Sequence, residues 1–535
     1  MPADCISYKN SGYFSPLMND YLDQKPHLQS LYNRFPSIEN FENQIIEKKG
    51  NFNGNEKRKI LVSVLEKQYA KINASDETLN NIKLLNNSNT FTITTGHQLN
   101  LLTGPLYFLY KIISTINLCK ELKTKYPENN FIPIYWMATE DHDFEEINYF
   151  NFKDQKFRWN RESSGAVGRL STEGLAEFFE VYAREIGSGT NAESIKKLFQ
   201  EAYLNHSNLA DATRFMANAL FGKQGLVILD ADNQDLKRIF IPYIKEELMQ
   251  QTSHKKVVET TEKLKNYDIQ VNPREINLFY LEDNLRERIV FDPDSHRDRI
   301  YKVNNTKIEF SEVEILELVE TNPEKFSPNV ILRPLYQEVI LPNLCYIGGG
   351  GEIGYWLELK SFFDEMKVTF PVLLLRNSAL LATEKQASKA DKLGLSWSDL
   401  FLKQSDLVNV KSAQLSEFPI DFSIQKEHLQ KQFEALYKIA NQTDKSFIGA
   451  VKAQEAKQIK GLEKLEKRLL KAQKRNYSEE LNRITDLQNE LFPNHSLQER
   501  HANFSEFYIE YGENLIQKLI LQLKPLETNF EIISL

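Results

Sequence analysis

Short apolar runs alternate with helical periodicities along most of this chain. Phe91 to Thr95, Phe131 to Trp136, Leu226 to Asp230, Val330 to Leu332, Leu344 to Ile347 and Val372 to Arg376 each read as a buried strand. After the first of them, Leu106, Leu109, Ile113, Ile116 and Cys119 recur at helical spacing and predict a helix over Leu106 to Leu122. Strands joined by crossover helices are the signature of a parallel sheet covered on its faces. The predicted fold class is α/β, a doubly wound parallel sheet whose strand order the pattern leaves open.

The spacing is uneven. Roughly ninety residues separate Trp136 from Leu226 and about a hundred separate Asp230 from Val330, too many for single crossover helices. These gaps read as inserted subdomains. The first carries helical patterns at Glu173 to Glu185 and Ala192 to Tyr203, and the second a hairpin at Tyr301 to Phe310 turning at Asn304-Asn305. After Leu393 the composition shifts to Lys, Glu, Gln and Leu. Leu429, Phe433, Leu436, Ala440, Thr443, Phe447 and Ala450, then Leu462, Leu465, Leu469 and Ala472, predict a coiled-coil seam or a helical hairpin, with breaks at Asn476-Tyr477-Ser478 and Pro493-Asn494.

The expected organisation is therefore a first part of the core with N-terminal helices (1–150), a mainly helical insertion (151–225), a core strand and helix start (226–240), a mixed α/β insertion (241–329), core completion with a glycine-rich loop (330–384), and a C-terminal coiled-coil and helical domain (385–535).

Composition narrows the class. Over 535 residues, 41% hydrophobic and 26% charged residues are ordinary for a folded soluble protein. No signal-peptide core stands near the start, and Phe370 to Leu375, the longest later apolar run, is far short of the ~20 residues that span a bilayer, so a cytoplasmic protein without membrane partners is expected. Cys5, Cys119 and Cys345 are too scattered for a disulfide framework or a thiolate zinc site, and any metal would need His and carboxylate ligands. A net charge of −8 disfavours nucleic acid as a partner.

Ligands in open α/β sheets sit outside the carboxyl ends of the strands. Three such ends are unusually polar or glycine-rich. The first run leads into Gly96, His97 and Gln98, with a second turn at Thr103-Gly104-Pro105; the next leads into Glu140, Asp141, His142 and Asp143; a third leads into Gly348, Gly349, Gly350 and Gly351, followed by a helix carrying Glu352 and Tyr355. Carboxylates and imidazole accept protons or coordinate cations, and glycine amides at a helix start receive anions. The glycine spacing matches neither the common phosphate loop nor the dinucleotide fingerprint. Each feature also has a plainer reading: an acidic helix cap, a structural turn, a hydrogen-bonded core histidine. Arg333 and Gln337 add a polar pair suited to a carboxylate. Lys467, Arg468, Lys471 and Lys474 form a basic helical face that reaches a phosphate or is simply solvated.

Taken together, "TTGHQLNLLTGPLYFLYK", "PIYWMATEDHDFEEIN", "SPNVILRPLYQEVILPNLCYIGGGGEIGYW" and "LFPNHSLQER" resemble, in order and spacing, the BshC family of cysteine-adding enzymes of bacillithiol biosynthesis. The resemblance runs from "GYFSPLMNDYL" at Gly12 to the final helices. It implies a Rossmann-like core similar to class I aminoacyl-tRNA synthetases, two connecting insertions, a C-terminal coiled coil and a homodimer. It also implies a ligase that joins the cysteine carboxyl to the amine of glucosaminyl-malate, with ATP or another nucleotide as the activating cofactor. The synthetase signature pair is absent, and Thr95-Gly96-His97-Gln98 stands in the place of its first member.

On this reading His97, Gln98, Asp141, His142 and Asp143 are the expected catalytic residues. Gly96, Thr103, Gly104, Glu140, Arg333, Gln337, Gly348 to Gly351, Glu352 and Tyr355 are expected to bind substrate, with the basic run from Lys467 to Lys474 as a candidate nucleotide contact. The rivals are a non-catalytic scaffold that keeps the nucleotide fold and coiled coil, and an aminoacyl-transfer enzyme acting on RNA.

Overall fold

The computed structural model describes residues 5–52, 55–291 and 299–535; positions 1–4, 53–54 and 292–298, which fall within the expected first segment and second insertion, lie outside it. Five strands form the central sheet: β1 (Thr90–His97), β2 (Asn130–Met137), β3 (Val227–Asp230), β4 (Asn343–Gly348) and β5 (Val372–Leu375). They run in the order β5-β4-β1-β2-β3 with every neighbouring pair parallel. The chain builds outward from β1 through β2 to β3, then returns to the other side of β1 for β4 and β5. A doubly wound sheet of this order has its topological switch between β1 and β4.

Helix α1 (Tyr107–Lys125) crosses from β1 to β2, α2 (Gln234–Gln250) follows β3, α3 (Leu332–Ile340) precedes β4, and α4 (Gly350–Glu358) starts where β4 ends. Every residue of β1 is buried, because helices cover both faces of the sheet, and this is why the strand reads as a continuous run rather than an alternation.

Val330 to Leu332 is not a strand. The side-chain oxygen of Asn329 accepts the N–H groups of Ile331 and Leu332 and turns the chain into α3, leaving Val330 42% exposed. The nearby strand is Phe326–Pro328, which joins a second sheet antiparallel to Leu278–Glu282.

That second sheet, of five antiparallel strands, lies in the second insertion and includes the hairpin Ile300–Val303 and Glu309–Ser311, with Tyr301 opposite Phe310 and Asn305 at positive φ in the turn. The first insertion carries helices Leu175–Ile186 and Thr190–Phe199. Helices α5 (Ser423–Ala440) and α6 (Lys445–Asn476) form an antiparallel hairpin, held by Tyr437 to Glu455 and Lys426 to Glu466 contacts. Its seam is Leu429, Phe433, Tyr437, Ala440, Ile448 and Val451. The turn at 441–444 interrupts the heptad register, so Leu436, Phe447 and Leu465 of the expected stripe face outward. The final strand, Asn529–Ser534, pairs parallel with Ser378–Ala382 and antiparallel with Cys5–Ser7, fastening the C-terminal part to the chain just beyond β5.

Candidate active site at the switch point

A cavity of about 1100 Å³ lies outside the carboxyl ends of β1, β2 and β4. Its walls come from far-apart parts of the chain: Gly96 to Gln98 at the end of β1, Ala138 to His142 after β2, Gly349 to Glu352 at the start of α4, Arg274, Arg286 and Arg288 from the second insertion, and Arg500 with His501 from the C-terminal part.

The end of β1 is shaped by a close approach. A Cβ at Gly96 would stand 3.0 Å from the Tyr346 hydroxyl, so glycine lets β1 pass that ring without displacing it. The carbonyl of Gly96 accepts a hydrogen bond from Lys111 Nζ at 2.8 Å, and the same ammonium pairs with Glu352 at 2.5 Å. Glu352 also accepts the Gly349 N–H and the Tyr346 hydroxyl. Burial works against its ionisation, but Lys111 and these donors hold its carboxyl below the ordinary range. His97 packs on Tyr107 and Phe108. Burial first, then the charges of Lys111 and Arg376, push its imidazole well below the usual histidine range, so it is neutral.

Across the cavity, Gln98 donates from one amide nitrogen to both Asp141 (3.0 Å) and Glu146 (2.8 Å). The other oxygen of Asp141 accepts the His142 backbone N–H. Asp143 occupies the cap position of the short helix Phe144–Ile147 but makes no capping hydrogen bond. The simple acidic-cap account of this cluster therefore does not hold. Arg286 donates to Nδ1 of His142 at 2.6 Å. Burial and the Arg286 charge lower the His142 pKa, against the opposing pull of Asp141 and Asp143. A guanidinium has only donors, so Nδ1 is the acceptor and the ring proton of neutral His142 sits on Nε2.

Arg333 reaches the cavity from α3, not from a strand end. Its guanidinium donates to Gln337 (3.1 Å) and to the Tyr355 hydroxyl (3.2 Å) and lies over Trp136 and Tyr346. Among the described residues no carboxylate lies within ion-pair distance of Arg274, Arg286, Arg288, Arg333 or Arg500. Five guanidiniums without a direct ion-pair partner around one cavity give its wall a positive potential of the kind that suits anions.

Several expected substrate contacts belong elsewhere. Thr103 and Gly104, both at positive φ, form a turn in which the Leu102 and Gly104 carbonyls accept from Asn503, and a Cβ at Gly104 would meet Asn100 at 2.7 Å. This turn docks the C-terminal part and does not line the cavity. Gln337 is fully buried, holding Arg333 on one side and Glu338 on the other. Glu140 lines the wall but is paired with the buried Lys237 at 2.7 Å, so its charge is already met. Gly348 lies behind Glu352, and Asp143 is exposed outside the cavity. Lys467, Arg468, Lys471 and Lys474 stand on α6, and none of them lines the cavity.

Residues 1–377 match the family described as "Bacillithiol biosynthesis BshC, N-terminal Rossmann-like domain", and residues 379–535 match its "C-terminal coiled-coil domain". The chain belongs to the BshC family. It is 69% identical over the whole length of both chains to the protein of Flavobacterium johnsoniae named "Putative cysteine ligase BshC". Proteins of the same name from Cytophaga hutchinsonii (37% identical, 98% of each chain) and Bacillus cereus (27% identical, 94% of each chain) also align.

For this BshC-family chain, sequence reasoning missed Tyr107, Lys111, Arg274, Arg286, Arg288, Arg376, Arg500 and His501 in the cavity wall. Arg286 and Arg288 carried a local signal, since an i, i+2 pair on the strand Leu285–Phe291 shares one face. Arg500 lies in the quoted "LFPNHSLQER" motif and His501 directly follows it. Tyr107 and Lys111 lie in the first quoted motif and Arg376 closes the run from Val372, so of these residues Arg274 alone had no local signal.

Proposed function

We propose that this chain is the cysteine ligase of bacillithiol formation, joining the cysteine carboxyl to the amine of glucosaminyl-malate. The observation that carries the reading is the meeting, at one switch-point cavity, of guanidiniums that have no direct ion-pair partner with the Gln98-bridged carboxylates. Malate presents two carboxylates, and Arg274, Arg286, Arg288 and Arg333 suit them. Amide formation requires an uncharged attacking amine. His142 has its Nδ1 lone pair engaged by Arg286 and its proton on Nε2, so it donates to a substrate oxygen, while Asp141 is placed to take the amine's proton. Gln98 fixes the orientation of that carboxylate.

The residues present fit a nucleotide: arginines and helix-start amides suit phosphates. When bound, a nucleotide such as ATP would supply the activation that turns the cysteine carboxylate into an electrophile. Among the described residues no group of three or more His, Cys, Asp or Glu side chains is placed to hold a metal ion.

We also propose a homodimer through α5 and α6, supported by Leu436, Ile439, Phe447 and Leu465, which the hairpin leaves exposed. No helix among the described residues is long and apolar enough to cross a membrane, and we place the enzyme in the cytoplasm.

The test is mass spectrometry of small thiols in cells lacking this protein, then carrying wild type or Asp141→Asn. Glucosaminyl-malate accumulates and bacillithiol disappears in the deletion, and only wild type restores it. Unchanged bacillithiol in the deletion would overturn the reading.

A further inference from the structure

Two buried nitrogens in the cavity wall have no partner. One is Nε2 of His97, a residue 7% exposed, and the other is Nε of Arg376, a residue 5% exposed. The two terminal nitrogens of Arg376 donate to the Asn377 carbonyl, the Ser378 hydroxyl and Glu499, so Nε is its one nitrogen without a partner. A Cβ on Gly349 would stand 3.8 Å from that Nε, which puts it beside the first amides of the nine-residue helix α4. The Tyr107 ring lies between the two residues, edge-on to His97 and 5.1 Å from the Arg376 guanidinium. A buried donor left without a partner is costly, because it has lost its water and gained nothing in exchange. An unpartnered donor of Arg376 at a helix start, with His97 packed against the same Tyr107 ring, calls for a ligand.

We propose that His97, Arg376 and the α4 amides at Gly350 and Gly351 form an oxyanion subsite that receives a single phosphate or carboxylate group, separate from the guanidinium cluster of the second insertion. The helix start favours negative charge, Arg376 supplies a donor, and neutral His97 supplies another in its Nε2–H tautomer. Lys111 is matched by Glu352 and Arg376 by Glu499, so the pull on an anion here comes from the free N–H donors and the helix start rather than from net charge. The inference deepens the ligase reading, since the reaction needs a place for an activating phosphate or a substrate carboxylate next to the carboxylate-bearing wall.

The experiment is calorimetric titration of the full chain with inorganic phosphate and, separately, with L-malate, comparing wild type with Gly349→Ala and His97→Phe. The alanine methyl makes only ordinary contacts, 3.5 Å to Glu352 and 3.8 Å to Arg376, so Gly349→Ala fills the subsite without disturbing the fold. The expected result is at least a tenfold weakening of one of the two anions in both variants; which anion weakens tells phosphate from carboxylate. If His97→Phe does not fold, Gly349→Ala alone decides. Wild type that binds neither anion, or variants that bind both as wild type does, would overturn the subsite. Binding is read without turnover, so a failure of ligation would sink the ligase reading and leave this one standing.

Discussion

Arg286, from the second insertion, donates to Nδ1 of His142, at the end of β2, across 2.6 Å and 144 residues of sequence. This contact fixes the tautomer of the imidazole and, together with burial, keeps it neutral. Replacing Arg286 with Met removes the repulsion that lowers the His142 pKa. The acidic limb of the kcat/KM profile should then move to higher pH, because protonated His142 persists further up the scale. An unmoved limb would show that His142 does not titrate in the reaction.

Asp141→Asn keeps the oxygen that accepts the His142 N–H but cannot take a proton. Turnover should fall about 10²–10⁴-fold with little change in substrate affinity. Steady-state kinetics separates the two, and a rise in KM at constant kcat would make Asp141 a binding group instead.

Arg333→Ala should weaken glucosaminyl-malate by about 1.5–3 kcal/mol, the usual worth of a hydrogen bond to a charged group. Gln337→Leu touches no substrate and frees the Arg333 guanidinium from one of its two anchors, so its effect should be the smaller of the two. Calorimetry of both variants checks the order.

Lys48 and Glu338 form a buried ion pair at 3.0 Å, 2% and 0% exposed. Lys48→Met strands the carboxylate and should destabilise the protein by about 3–5 kcal/mol in denaturant titration. A loss within experimental error would mean that Asn343 and Gln337, which also donate to Glu338, suffice alone.

Burial raises the Glu358 carboxyl from 4.5 to about 7, despite the Gln270 and Val271 N–H groups that donate to it. The folded state therefore binds more protons than the unfolded one between those values, and stability falls as pH rises through that window. Glu358→Gln should flatten this part of the profile in melting experiments from pH 5 to 8. An unchanged slope would show that another group carries it.

The polar strand ends were legible because they are local. Gly96 to Gln98 and Glu140 to His142 follow apolar runs directly, and a doubly wound sheet puts such residues in its crevice wherever the strands finally lie. The misread strand at Val330 shows the limit of the same logic. A three-residue apolar run has no periodicity of its own, and one Asn329 side chain, capping two amides, decides it.

By itself the sequence determined the α/β class, the core helix after β1, the helical hairpin and the polar or glycine-rich residues at three strand ends, because hydrophobic period and turn residues act over a few positions. Only the tertiary structure decided the strand order, and with it which ends share a crevice. It alone brought Arg286 to His142, Arg376 to Gly349 and Arg500 to the same cavity. Those meetings depend on how two insertions and the C-terminal part dock on the sheet, which is set by surfaces assembled from distant residues and leaves no periodic trace along the chain.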